Sequence, residues 1–154
     1  MKKSDRLKTI VDLNADQEKK ALEELGLIQK KQLHAQEQLD NLTQYRKEYQ
    51  QKYDNYCLNG ARAGQLMEFR SFIDKLDQAI KGQEMTVKKL DDDVNNSRNL
   101  WLGLHNRTQS LQKICDKAMA AELKHQDKLE QLELDDRVSS GRRNAQNGMR
   151  NAKN

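Results

Sequence analysis

Cys57-Leu-Asn-Gly-Ala-Arg-Ala-Gly-Gln65 is the stretch that decides how this 154-residue chain folds. Gly60 and Gly64 stand close together here, between two long runs in which apolar residues recur at coiled-coil spacing. Glycine is costly inside a helix and is a natural helix stop. Stepping alternately four and three residues from Leu7 to Tyr56 gives 15 stops, of which 11 are apolar. Chance would supply about five at this composition. The same walk from Leu66 to Leu132 makes 20 stops, 15 of them apolar, against about seven expected. Two helices with narrow apolar seams, joined by a glycine turn, predict an antiparallel hairpin.

Composition leaves little room for another fold. The chain has no proline, 35% apolar residues, 34% charged residues and 5% aromatics. A globular core normally draws on about 45–50% apolar residues, glycine included. The expected class is all-α: a helix over 5–57, a turn over 58–65 and a helix over 66–138. Ser4 or Asp5 is placed to cap the first helix. Residues 139–154 hold Arg142, Arg143, Arg150 and Lys153 with no acid, and read as a basic disordered tail. The net charge of +4 comes from this tail, because residues 1–138 carry 24 basic and 24 acidic side chains.

An antiparallel pairing keeps the sum of facing residue numbers constant. A sum of 122 sets Tyr49 on Ile73, Tyr53 on Phe69 and Ala21 on Trp101, and lets Asn14 face Thr108. Glu18, Arg46 and Gln83 then face leucines and are expected to snorkel to the edge. The first helix ends opposite Ala118, so the second overhangs it by about 20 residues, or roughly 30 Å. Met119, Leu123, Leu129, Leu132 and Leu134 line this overhang without a partner in the chain, which predicts a partner elsewhere.

No constellation carries chemistry. His34, His105 and His125 lie far apart and in no metal spacing, Cys57 and Cys115 are isolated, and no phosphate-binding glycine motif is present. Asp91-Asp-Asp93 reads as a solvated helix face. No catalytic residue, cofactor or metal is expected. Apolar runs are too short for a membrane span or a secretory leader, and two cysteines suit a reducing cytosol. The tail lacks aromatics to stack on bases, so a nucleic-acid partner is not expected. One surface feature remains. Phe72 flanks the seam one turn from Leu76, with Ala79 and Gln83 following, and forms either a widened seam or a docking face.

Leu42-Thr-Gln-Tyr45-Arg-Lys-Glu-Tyr49, the glycine turn and Phe72-Ile-x-x-Leu76-x-x-Ala79-Ile80 together resemble the FliJ family of the bacterial flagellar type III export apparatus. The resemblance covers roughly residues 5–138 and includes Trp101. It implies a stalk that binds and activates the hexameric export ATPase through the open end of the hairpin. Leu13, Met119, Leu123, Leu129 and Leu132 are the implied ATPase contacts. It also implies engagement of the membrane export gate through Phe72, Leu76, Ala79 and Gln83, the last standing where some relatives have histidine. A monomer is expected, in the cytoplasm and peripherally at the inner face of the membrane, with export chaperones as further partners. The stalk of a virulence secretion system and a secretion chaperone or escort are the alternative readings.

Overall fold

The computed structural model describes residues 2–152. Helix α1 spans Lys3–Leu58 and helix α2 spans Ala63–Ala152, and no strand occurs among the described residues. The chain is an all-α hairpin whose second helix is the longer, as the seams require. It divides into two units, residues 16–105 and residues 1–15 with 106–154.

The turn is tighter than the spacing of the two glycines suggests. Gly60 takes a left-handed φ of 75°, and the Ala61 amide donates back to the Tyr56 carbonyl at 3.0 Å. That is the Schellman stop, in which a left-handed residue lets the next amide satisfy an orphan carbonyl of the last turn. The Arg62 carbonyl accepts from the Leu66 amide at 3.1 Å and so opens α2. Gly64 therefore lies inside the first turn of α2 and stops nothing, and the turn is confined to residues 59–62.

In the unit of residues 16–105, Ala21, Leu25, Ala35, Ile73, Leu76, Val87 and Val94 are buried between the helices. Tyr49 and Tyr56 bracket Phe69, with ring centroids 5.8 and 5.1 Å from it. The polar seam residues are partnered across the hairpin. The Arg46 guanidinium pairs with the Asp77 carboxylate. Glu18 meets His105 Nδ1 at 2.5 Å, and the Gln83 amide donates to the Ala35 carbonyl at 2.9 Å and to Gln38 at 3.3 Å. All three are half-buried, and the facing helix supplies each with a partner at the seam edge, which offsets the cost of leaving a polar group unpaired there. His105 also stacks on Trp101, at 5.1 Å between ring centroids.

In the unit of residues 1–15 and 106–154, Val11, Asn14 and Cys115 are buried, and Cys115 Sγ lies 3.7 Å from the Ser4 carbonyl. Asn14 donates to its own helix at the Ile10 carbonyl, 2.9 Å away. The first turn of α1 is capped from the other helix: the Glu122 carboxylate accepts from the Ser4 amide at 3.1 Å and from the Ser4 hydroxyl. Ser4 therefore sits inside α1 and donates instead of capping. Past Glu122, α2 is exposed on all sides through Asn151. Its helix continues beyond 138 through Ala152, in place of the expected disordered tail. With no proline in the chain, the strongest local opposition comes from Gly141 and Gly148, at about 1 kcal/mol each.

The two glycines of the turn should respond oppositely to alanine. Nothing lies within 4 Å of a Cβ built at either position, so the backbone alone decides. Gly60→Ala should lose about 1–2 kcal/mol in denaturant unfolding. Gly64→Ala should gain about 0.4–1 kcal/mol.

Candidate functional site

Two surfaces hold the residues singled out by sequence, one in each unit. The first is built around Phe72. One helical turn before the buried Leu76, Phe72 projects beside the seam and is 36% exposed. From α1, Tyr49 meets it at 4.6 Å between centroids and Tyr45 at 6.0 Å, nearly perpendicular. Such aromatic pairs contribute about 0.5–1.5 kcal/mol each beyond simple burial. The Tyr45 and Tyr49 hydroxyls lie 3.5 Å apart. Hydrogen bonding to Tyr49, and then burial, hold the Tyr45 phenol above its ordinary value.

Of the four residues proposed for gate contact, Phe72 and Ala79 offer exposed surface. Leu76 is buried in the seam at 7% exposure. Gln83 is half-buried and spends its amide on Ala35 and Gln38. Beside Gln83 a shallow groove is lined on the α1 side by Gln38, Asn41, Leu42 and Tyr45. A docking stripe read from α2 alone, as Phe72, Leu76, Ala79 and Gln83, leaves out this α1 contribution. Tyr45 falls off the heptad stops and is 42% exposed. The spacing of Leu42, Tyr45 and Tyr49 on one side of α1 was the available signal.

The second surface lies where α1 begins. Lys2, Ser4 and Asp5 line a hollow with Met119, Glu122, Leu123 and Gln126 of α2. Met119 and Leu123 are thus brought beside the first turn of α1. Leu129 and Leu132 follow on bare helix, and Leu13 is exposed on α1; these three lie outside the lining of the hollow. Between 49% and 61% of the surface of each of these five residues is exposed. Hydrogen bonds from the Ser4 hydroxyl and amide, helped by Lys2, hold the Glu122 carboxyl below its ordinary range against the opposing effect of desolvation. Among the described residues no cluster of His, Cys, Asp and Glu could hold a metal ion, and no helix is long and apolar enough to cross a membrane.

The family model for the flagellar FliJ protein matches residues 2–147. The chain belongs to the FliJ family. Flagellar FliJ proteins of Salmonella typhi and of Escherichia coli (strain K12) are each 25% identical to it over 130 residues, covering 84% of this chain and 88% of theirs. No solved structure matches. The family relation spans both units and both surfaces.

The Glu122 cap gives a signed pH dependence. A carboxyl whose pKa is lowered by folding stabilises the fold above its unfolded value and loses that contribution as pH falls through the folded value. Protection of the amides at the start of α1, taken as exchange relative to the intrinsic rate at each pH, should fall as the solution is acidified below the ordinary carboxylate range. Glu122→Gln should show lower protection already at neutral pH and little further change in protection on acidification. An unchanged exchange rate for Ser4 and its neighbours in that variant would refute the cap.

Proposed function

We propose that this FliJ-family chain is a non-enzymatic stalk of the flagellar type III export apparatus. It binds and activates the hexameric export ATPase and engages the membrane export gate. The observation that carries the reading is the run of α2 beyond Glu122, whose leucines are exposed. An amphipathic helix left bare in water is marginal, so a partner that covers it gains apolar burial. The ATPase is assigned to this end, with Leu13, Met119, Leu123, Leu129 and Leu132 as contacts. The aromatic face of Phe72 and Ala79 is assigned to the gate, with Leu76 and Gln83 supporting it from within the hairpin. The protein then works in the cytoplasm, peripherally at the inner face of the membrane, as a monomer.

The match to flagellar relatives favours this reading over a virulence-system stalk. A near-neutral body with charges of both signs suits a contact that slides or turns better than one that locks. Export chaperones remain partners by family resemblance alone, with no residues assigned to them.

The two assignments should separate by mutation. Phe72→Ala removes the exposed ring and its contacts with Tyr45 and Tyr49, while the seam residues Ile73 and Leu76 remain. Gate affinity should fall about tenfold or more, as for an aromatic anchor, with ATPase stimulation retained. Truncation after Gln126 should abolish stimulation and spare gate binding. Cutting there keeps Glu122 and the capped start of α1, which a cut after Ala118 would remove. Circular dichroism controls for folding. If Phe72→Ala lost stimulation while the truncation kept it, the ends would be assigned backwards.

A further inference from the structure

Glu18, Gln32 and Arg46 occupy seam stops of α1 that an apolar side chain would fill at less cost. They are spaced 14 residues apart, two heptads, and Leu25 and Leu39 hold the same heptad position between them. Each is paired with a polar residue at the edge of α2, and the partners are also 14 apart. Glu18 meets His105 at 2.5 Å, the Gln32 amide donates to Asp91 at 2.5 Å, and Arg46 pairs with Asp77. In all three pairs the residue numbers sum to 123. These positions are only partly wet, with the Glu18 and Arg46 side chains 19% and 37% exposed.

We propose that this ladder is a specificity device. It selects the chain's own α2, in one register, over association of the α1 seam with another copy. In a parallel α1–α1 pair, Glu18 would face Glu18 and Arg46 would face Arg46, placing like charges at a seam. A one-heptad slip of the hairpin in one direction sets Arg46 against Arg70. The opposite slip keeps charges compatible, with Arg46 near Glu84, but replaces Ala21 by Ile28 opposite Trp101 and overfills that layer. Charge pairs and the small-to-large layer therefore exclude different errors. Polar residues at isolated seam positions specify register and oligomeric state at a cost in stability.

The decisive variant is Glu18→Leu with Gln32→Leu and Arg46→Leu. It should melt at a higher temperature than the parent yet lose uniqueness. Sedimentation should show concentration-dependent oligomers. Spin labels at positions 24 and 99, with the native cysteines replaced, should report more than one distance where the parent reports one. A monomer with the single parental distance would overturn the proposal. If the triple variant does not fold, the charge series decides. Arg46→Asp alone should lower the melting temperature and broaden the distance distribution, and adding Asp77→Arg should restore both. Failure of the exchanged pair to restore the parental distance would overturn it equally.

Discussion

A seam one side chain wide is all the burial that a chain with 35% apolar residues commands, and the rest of the structure answers to that limit. The buried apolar residues are small or medium in size, from Ala21 and Ala35 to Ile73 and Leu76. Tyrosine, phenylalanine and tryptophan fit the seam only half-buried, or spill over its edge as Phe72 and Tyr45 do. Among the described residues the Trp101 indole nitrogen is buried without a hydrogen-bond partner, and so thin a core has little room for more such groups. Glu18, Gln32, Arg46 and Gln83 must find partners across the seam, and the partners come from its margins, where water still screens part of the charge.

The same limit explains what could be read in advance. In a seam the period of the apolar residues is the structure. Every stop of the α1 walk except Tyr56 is buried or half-buried, and in α2 this holds for every stop through Glu122. Gly60 and the emptiness of the overhang were equally legible, because a left-handed stop and an unmatched length need no knowledge of side-chain packing. The contacts made off the heptad escaped. His105 is not a seam stop, so its pairing with Glu18 had no periodic signal. Glu122 caps a helix 118 residues away, whereas local capping rules look only at the flanking sequence. The end of α2 was misjudged for a related reason. Gly141, unlike Gly60, keeps a negative φ, and nothing local forces the helix to stop there.

The candidate surfaces divide along the same line. Exposed leucines on α2 beyond Glu122 follow from counting, since their number and period are fixed by sequence. The aromatic face does not, because half of it belongs to α1. Phe72 alone is an isolated exposed ring of the kind any surface carries. Phe72 held by Tyr45 and Tyr49, beside a groove reaching Gln38 and Gln83, is an oriented one. Orientation matters because a partner then meets a ring already fixed in place and loses less side-chain entropy on binding.

Leu76 shows how this bears on reading mutations. It belongs to the stripe that resemblance assigns to the gate, yet its side chain is buried between the helices. A Leu76→Ala change would leave a cavity and cost about 2–5 kcal/mol, loosening the layer one turn along α2 from Phe72. Lost binding in that variant would arise through the position of Phe72, with no requirement that Leu76 touch the partner. A partner-facing role and a positioning role differ in one respect. Phe72→Ala should weaken binding with only the modest stability loss of its two ring contacts, whereas for Leu76 the two losses should rise together. Leu76→Met separates them further. Refilling the layer with a flexible side chain of similar volume should restore binding if Leu76 only positions the ring.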